Sequence, residues 1–195
     1  MIDFALLGHP ADAAHLAEAA GAWLGQPVDA DALADWLEST PAFALPDLLR
    51  VPTPAGGTLC GQLIVCPFLP ENTQTAPGAL AAAAKTRAGV ALARDLGAKI
   101  AGLGGFTSIV VGAQGEKLAR EFGLPLTSGN TLTAILALEQ MENALAAQQR
   151  DLAGQTVAIL GASGDIGRAL ALSLAPRARR MILVARNRSR LEGLR

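Results

Sequence analysis

The chain has 195 residues, of which 51% are hydrophobic and 17% charged, so a sizeable buried core is expected and a disordered chain is excluded. A formal net charge of −1 gives no general attraction to nucleic acid, and two cysteines are too few for a disulfide framework, which favours a reducing, cytoplasmic location. The longest uncharged stretches, residues 55–70 and 100–115, are short and interrupted by glycine or proline, so no membrane span is predicted.

Hydrophobic periodicity predicts alternating strands and helices through the first three quarters of the chain. The predicted elements in chain order are a strand at 4–7, helices at 12–24 and 29–37, a strand at 58–66, a helix at 78–96, a strand at 99–103, a helix at 113–122 and a helix that ends near residue 149. Prolines at positions 41, 46, 52 and 54 predict an irregular connection before the second strand. The alternation predicts an α/β domain over residues 1–150, followed by a linker at 151–154.

A glycine-rich turn near the end of the chain carries the clearest chemical signal. Residues 156–168 read as a short apolar strand, three spaced glycines and the start of a helix, which is the first half of a dinucleotide-binding βαβ unit. The glycines permit a tight turn, a close approach of the pyrophosphate, and close packing of helix on strand. The N-terminus of the helix offers free N–H groups and a positive dipole end to the phosphates. The predicted cofactor-binding residues here are Gly161, Ala162, Ser163, Gly164, Asp165, Ile166 and Gly167.

A second apolar run, residues 181–185, follows as the second strand of this unit, and Arg186, Asn187 and Arg188 come directly after it. An acidic residue at the end of this strand binds the ribose 2′-hydroxyl of NAD, whereas arginine suits the 2′-phosphate of NADP. The three residues are therefore predicted to bind the cofactor, and the cofactor to be NADPH. The alternative is a glycine turn in some other α/β domain, with the arginines merely solvated.

Residues 155–195 are expected to form only part of a Rossmann-type domain. A nucleotide-binding sheet usually has two βαβαβ halves, and two parallel strands with one helix leave much of the sheet uncovered. We therefore expect either the N-terminal portion of a longer protein or another source of cover, such as self-association through the open sheet edge.

Two loops in the first domain are candidate substrate sites. The segment Gly104, Gly105, Phe106, Thr107 and Ser108 follows a predicted strand, where ligand-facing loops of α/β sheets occur, and its hydroxyl groups suit a carbonyl or phosphate. The alternative is an ordinary glycine turn that starts a helix. Asn130 and Thr131 precede a helix and are either substrate residues or an N-cap.

The remaining reactive residue types give weak signals. Cys66 has no visible activating base and is predicted to be a buried structural cysteine. His9 is a candidate pocket residue, whereas His15 is expected on a helix surface, and no metal site is predicted. The chain has no tyrosine, which excludes the Tyr-x-x-x-Lys machinery of short-chain dehydrogenases.

Taken together, the motifs resemble the long-chain acyl-[acyl-carrier-protein] reductases over nearly the whole chain. The blocks that carry the resemblance, in order, are Phe4 to His9, Phe68-Leu-Pro-Glu71, Lys85-Thr86, Leu103 to Ile109, Thr127 to Thr131, Val157 to Gly167, and Ala185 to Leu191. The middle of the chain is also similar to the shikimate-dehydrogenase arrangement, in which Asn-Thr at the head of a helix leads into the cofactor domain.

The resemblance implies NADPH-dependent reduction of a fatty acyl thioester, carried by acyl carrier protein, to an aldehyde. It also implies an acyl-accepting cysteine beyond the cofactor glycines, where this chain has none. The chain is therefore expected to be incomplete as a catalyst. The open alternatives are a shikimate-dehydrogenase-like enzyme of a small polar substrate and a non-catalytic dinucleotide-binding module.

Overall fold

The computed structural model describes residues 2–194, apart from the side chain of Ala113. The chain divides into two compact units, Met1–Ser128 and Gly129–Arg195. Each unit has its own sheet and its own hydrophobic core.

The first unit is built on a five-stranded, mostly parallel sheet with the strand order β2-β3-β1-β4-β5. Its strands are β1 (Phe4–Gly8), β2 (Phe43–Pro52), β3 (Thr58–Val65), β4 (Ile100–Leu103) and β5 (Leu126–Thr127). Its helices are α1 (Ala13–Leu24), α2 (Ala30–Ser39), α3 (Ala76–Asp95), α4 (Phe106–Val111) and α5 (Gly115–Phe122). Short 3₁₀ turns lie at Pro70–Gln74 and Gly112–Gln114. The predicted α/β class is confirmed at this level, a mixed fold around a mostly parallel sheet.

Helix α3 covers one face of this sheet and forms the main core. Alternate residues of the strands, among them Leu7 and Ile64, are buried against Val90 of α3. The helix can approach the sheet closely because Gly89 has no side chain, since a Cβ there would lie 2.9 Å from the sulfur of Cys66. On the opposite face of β1, Leu6 is half-exposed, so this second face is less completely covered.

The expected irregular connection around the prolines is wrong, because residues 43–52 form the antiparallel edge strand β2. The strand has an irregularity between Ala44 and Leu48, and Pro46 lies within it. Proline is tolerated at a sheet edge or bulge, where a missing N–H breaks no ladder. The side-chain amide of the buried Gln62 donates to the carbonyls of Leu45 and Asp47, which the irregularity leaves without ladder partners.

The ends of the long helices follow their capping residues. Asp12 accepts a hydrogen bond from the backbone N–H of His15 at the start of α1, and Thr75 accepts one from Gly78 at the start of α3. Gly97 follows α3 with a φ of 81°, the left-handed conformation expected of glycine after a helix.

The second unit is a βαβ arrangement with two additional helices. It contains α6 (Asn130–Ala147), β6 (Thr156–Leu160), α7 (Asp165–Leu174), β7 (Arg180–Val184) and α8 (Arg188–Glu192), and β6 pairs with β7 in parallel. A 3₁₀ turn at Leu152–Gly154 occupies the predicted linker. The sequence assigned the helix before this turn to residues 1–150, whereas by its packing α6 belongs to the second unit.

One face of the two-stranded sheet is packed and the other is open. Leu138, Met141 and Leu145 of α6 pack against the core that contains Ile159 and Leu174. On the other face Leu160, Ile182 and Val184 are exposed, and Leu160 keeps 80% of its surface accessible. Among residues 2–194, no helix is both long and apolar enough to cross a membrane.

Candidate functional site

Three loops meet at the carboxyl edge of the five-stranded sheet. Strands β1, β3 and β4 run parallel, so the segments that follow them emerge on the same side. These segments carry His9, Phe68 and the Gly104–Ser108 stretch, which are three of the blocks that the sequence singled out. The carboxyl edge is where open α/β sheets bind their ligands.

His9 joins these loops through both of its ring nitrogens. Its Nδ1 lies 2.7 Å from the carbonyl oxygen of Pro10, and its Nε2 lies 2.9 Å from the backbone nitrogen of Phe106. Because the Phe106 N–H can only donate, Nε2 accepts and Nδ1 carries the proton, which fixes a neutral imidazole in one tautomer. The ring stacks on Phe68 at 4.8 Å and meets the Phe106 ring edge-on at 5.8 Å.

Gly105 is required by this contact. Its φ of 56° lies in the left-handed region, and a Cβ at this position would come within 2.7 Å of His9 Nε2. The second glycine of the Gly-Gly-Phe-Thr-Ser segment therefore makes room for the imidazole.

The hydroxyl groups of this segment are used within the segment itself. Thr107 is fully buried and donates to the carbonyl of Gly104 at 2.8 Å, and Ser108 donates to that of Gly105 at 2.9 Å. Both hydroxyls can still accept a hydrogen bond, but their protons are committed. The segment is thus the glycine turn that begins α4, and the loop expected to extend to Ser108 ends at Gly105.

Cys66 is a structural residue, as predicted. It is completely buried, and burial raises the pKa of its thiol to about 12, although Thr86 partly opposes the shift. A thiol with so high a pKa is not ionised near neutral pH and is a poor nucleophile. Cys60 lies half-buried on β3.

Lys85 connects three segments of the first unit, a role that its sequence context did not reveal. Its ammonium donates to the carbonyls of Leu37, of Glu38 at 2.9 Å and of Pro67 at 2.7 Å. These bonds use all three of its protons and connect α3 to the end of α2 and to the loop after β3. Burial lowers its pKa, while the carboxylate of Glu38 opposes the shift.

The glycine turn of the second unit has the geometry that its sequence predicts. Gly161 has a φ of 81°, and a Cβ on Gly167 would lie 2.9 Å from the Cα of Ala162 and closer still to the carbonyl oxygen of Gly161. A Cβ on Gly164 would meet only that carbonyl oxygen, at 3.4 Å, so the space beside Gly164 is open. Helix α7 starts at Asp165 without a side-chain cap, which leaves N–H groups at its N-terminus available to phosphate.

Asn130 lies beside this turn. Its side-chain amide donates to the carboxylate of Asp165 at 3.2 Å, so the first residues of α6 and α7 are in contact. The alternative that Asn130 or Thr131 caps α6 is wrong, because Gly129 occupies the cap position with a φ of 73° and no side-chain cap bond. Asn130 is thus linked to a predicted cofactor residue.

The three residues after β7, Arg186 to Arg188, differ in the hydrogen bonds and ion pairs that their side chains make. Asn187 caps α8 by accepting from the backbone N–H of Arg190 at 3.0 Å, and Arg188 pairs with Glu192 at 3.0 Å on an exposed surface. Arg186 is exposed and makes no ion pair within residues 2–194. Arg186 is therefore the better placed of the two arginines to bind a phosphate. In the same described residues no group of three His, Cys, Asp or Glu side chains could hold a metal ion.

Comparison with known proteins shows what the chain is similar to. No protein-family model matches the chain. The chain is 34% identical over 167 residues to the long-chain acyl-[acyl-carrier-protein] reductase of Synechococcus elongatus, and this alignment covers 82% of the chain. The chain is similar to the long-chain acyl-[acyl-carrier-protein] reductases, as its motifs predicted. The aminotransferase PigE of a Serratia species is 46% identical over 77 residues, which cover 38% of this chain and 9% of that protein.

The match to the acyl-[acyl-carrier-protein] reductase covers 48% of that enzyme, so the chain spans about half the length of this relative. The resemblance rested largely on glycine motifs. The structure explains two of these glycines, because a Cβ at Gly105 or at Gly167 would come too close to neighbouring atoms. The contact between His9 and Phe106 was missed, because the two residues are far apart in sequence and neither has a distinctive spacing.

Proposed function

We propose that this chain provides the substrate-binding unit and the first half of the NADPH site of a reductase that converts a long-chain fatty acyl-[acyl-carrier-protein] thioester to a fatty aldehyde. The observation that carries the proposal is the 34% identity to such a reductase over 82% of the chain. The first unit, Met1–Ser128, would then serve as the substrate domain and the second unit, Gly129–Arg195, as part of the cofactor domain.

The geometry around Gly164 supports the cofactor half of the proposal. The open space at Gly164 and the uncapped start of α7 fit a pyrophosphate, and the steric demand at Gly167 fits the close helix–strand packing of a dinucleotide site. Arg186, exposed and free of ion pairs among the described residues, fits the 2′-phosphate that distinguishes NADPH from NADH. Asn130 would hold Asp165, and so orient the first turn of α7.

The carboxyl edge of the first unit supports the substrate half. His9, Phe68 and the Gly104–Ser108 segment converge there, and we propose that they hold the thioester end of the substrate. The hydroxyl protons of Thr107 and Ser108 are already donated to the carbonyls of Gly104 and Gly105, so these two hydroxyls are not proposed to donate to the thioester carbonyl.

A cofactor held by the turn at Gly164, the start of α7 and Arg186 would supply the hydride for reduction of the thioester carbonyl carbon to the aldehyde, with release of the thiol. The family resemblance implies that a cysteine first accepts the acyl group. Neither the burial of Cys66 nor the raised pKa of its thiol suits that role, so this chain is proposed to bind and orient the reactants rather than to accept the acyl group.

The shikimate-dehydrogenase-like alternative is less well supported. An enzyme of a small hydroxy acid needs convergent lysine, aspartate and asparagine side chains, and Lys85 is committed to three backbone carbonyls. We therefore retain the thioester as the substrate.

The proposal is tested by titrating the chain separately with NADPH, NADH and hexadecanoyl-[acyl-carrier protein] in a calorimeter. NADPH is expected to bind at least about tenfold more tightly than NADH, a difference of about 1.4 kcal/mol, and the acylated carrier protein is expected to bind more tightly than the unacylated carrier. Equal affinity for the two nucleotides would contradict the cofactor assignment. NADPH binding without any response to the acylated carrier would instead favour the non-catalytic dinucleotide-binding module.

A further inference from the structure

Lys85 caps a helix other than its own. Helix α2, Ala30–Ser39, contains no basic residue, so its own side chains supply no cation to its last turn. The backbone carbonyls of Leu37 and Glu38 lie in that turn, and both accept from the Lys85 ammonium. A cation at a helix C-terminus satisfies carbonyls that have no partner within the helix and is favoured by the helix dipole. Lys85 therefore fixes the end of α2 from a position on α3.

The remaining proton of Lys85 holds the loop after β3. It is donated to the carbonyl of Pro67 at 2.7 Å. Pro67 is fully buried, and because proline has no N–H, this carbonyl is its one backbone group that can form a hydrogen bond. Thr86, the next residue of α3, forms a hydrogen bond with the thiol of Cys66. Two consecutive residues of α3 thus hold two consecutive residues of the loop.

The loop that Lys85 holds carries the ring on which His9 stacks. Phe68 follows Pro67 directly and is buried, and its ring lies 4.8 Å from the imidazole with 25° between the two planes. The Nε2 atom of His9 accepts from the N–H of Phe106 at 2.9 Å. Because hydrogen bonds weaken steeply when they are misaligned, a shift of Phe68 that tilts the imidazole would weaken this bond.

The contacts around Lys85 border space that a ligand can enter. Leu37, Pro67, Phe68 and Lys85 all line a cavity of about 580 Å³ that also reaches the first turn of α3. This volume lies within the range of about 300–1,000 Å³ that is typical of small-molecule sites. The arrangement of α2, the loop and α3 around Lys85 therefore determines the shape of accessible surface beside the carboxyl edge of the sheet.

We propose that Lys85 is a positioning residue of the substrate site and that it acts through Phe68 on His9. Its three protons are donated to backbone carbonyls, so it does not donate to the thioester itself. Instead it keeps the Phe68 ring in place against the imidazole, and the imidazole holds the Phe106 N–H. The inference rests on the proposed function for the identity of the substrate, whereas the effect of Lys85 on His9 rests on these contacts alone.

The first test observes His9 without any substrate. Lys85→Met keeps the length of the side chain and removes its donors. Nitrogen NMR reports which ring nitrogen of His9 carries the proton, and His15, on an exposed surface, serves as an internal reference. In Lys85→Met the two nitrogen signals of His9 should move toward each other as both tautomers become populated, and exchange of the Phe106 amide should rise about tenfold. Lys85→Arg, which keeps N–H donors and the charge, should restore both.

Lys99→Met is the matched control. The Lys99 ammonium pairs with Asp3 at 2.8 Å, next to the start of β1 and so at the opposite edge of the same sheet. Lys99→Met should leave the His9 signals and the exchange of the Phe106 amide unchanged. Thermal unfolding of both variants measures any general loss of stability. If Lys85→Met unfolds, Lys85→Gln takes its place with the same expectation in smaller degree, because its amide keeps N–H donors on a shorter side chain.

The second test uses the substrate. Hexadecanoyl-[acyl-carrier protein] should bind about fivefold more weakly to Lys85→Met than to the unmodified protein, the effect of one lost hydrogen bond. The affinity for NADPH should not change, because its proposed site lies in the second unit. The double variant of His9→Phe and Lys85→Met should bind the acylated carrier no more weakly than His9→Phe alone, because residues that act through one another give non-additive losses.

Unchanged His9 signals and unchanged exchange of the Phe106 amide in a folded Lys85→Met protein would overturn the proposal. Additive losses in the double variant would also overturn it, and so would changes at His9 of equal size in Lys99→Met. If the unmodified protein does not bind the acylated carrier, the proposed function fails. A changed His9 tautomer in Lys85→Met would in that case still support the effect of Lys85 on His9.

Discussion

The two glycines at the start of α7 offer a sharp test, because one is required by the fold and the other only by the ligand. Gly167→Ala places a methyl group against the backbone of Gly161 and Ala162, at contact distances that real Cβ atoms do not adopt. Backbone must therefore move. Gly164→Ala meets one atom at 3.4 Å, an ordinary contact, and its φ of −83° and ψ of 166° are accessible to alanine.

These contacts set the expected magnitudes. Overpacking costs typically about 1–3 kcal/mol, and more where backbone rather than a side chain must shift. Alanine recovers about 1 kcal/mol over glycine inside a helix, so Gly167→Ala should destabilise the second unit by about 2 kcal/mol. For a unit of this size that is a fall in Tm on the order of 10 °C. Gly164→Ala should leave stability unchanged or raise it by about 0.4–1 kcal/mol through the unfolded state.

The affinity for NADPH should depend on Gly164 more directly than the stability does. The methyl group of Gly164→Ala would occupy the space into which the pyrophosphate is proposed to fit, so NADPH affinity should fall at least about tenfold in a stably folded protein. Unfolding is followed by circular dichroism for both units, and by fluorescence for the first unit, since both tryptophans precede residue 129. The fluorescence transition should not move in either variant.

Two results would refute this reasoning. If Gly164→Ala binds NADPH as tightly as the unmodified protein, the turn does not approach a phosphate. If Gly167→Ala is as stable as the unmodified protein, the close packing of α7 on the turn does not constrain residue 167.

Four further predictions follow from other sites. Arg186→Asp should remove most of the preference for NADPH over NADH, a loss of about 1–3 kcal/mol, whereas Arg188→Asp should have less effect because Arg188 pairs with Glu192; nucleotide titrations compare the two, and equal effects would contradict the assignment. Cys66 should resist thiol reagents until the protein is unfolded, whereas Cys60 should react more readily. Burial raises the pKa of the Cys66 thiol from 9.0 to about 12, so its contribution to the free energy of unfolding should be complete below pH 9 and be lost as the pH rises toward 12. Cys66→Ala should remove this dependence of stability on pH. His9→Phe should speed hydrogen exchange at the Phe106 amide and cost about 1 kcal/mol, while His15→Phe, whose ring is exposed, should change neither. The chain by itself should form no aldehyde from an acyl thioester and NADPH. Light scattering should show that it self-associates, through the exposed side chains of Leu160, Ile182 and Val184. Aldehyde formed by a stable monomer would contradict both expectations and make Cys66 the first residue to replace.

The sequence predicted the elements whose signals are local. Helix α3 was predicted from its alanine-rich sequence, α1 from its helical periodicity, and the βαβ turn from glycine spacing that acts within a few residues. The glycine spacing also contributed to the resemblance to the long-chain acyl-[acyl-carrier-protein] reductases, which the comparison with known proteins bears out. These signals are readable because each depends on backbone conformation within a single segment.

The features that escaped prediction depend on partners distant in sequence. Strand β2 contains Pro46 and Pro52 and is flanked by Pro41 and Pro54, and the amide that donates to its irregular part lies on β3. An apolar groove in the first unit was not predicted, because Trp23, Trp36 and Phe43 lie in three separate segments and only the fold places them around one cavity. The tautomer of His9 likewise depends on Phe106, which no periodicity connects to it.

Few other residues can replace Gln62 on β3. Its amide is buried and directed at two carbonyl oxygens of β2, so only a side chain with N–H donors of the same length satisfies them. Glutamate has nearly the same shape but would set its own oxygens against those carbonyls, and leucine would leave both without partners. A codon for this glutamine is one base away from a codon for glutamate, so a single-base change that conserves the side chain's shape removes both hydrogen bonds to β2.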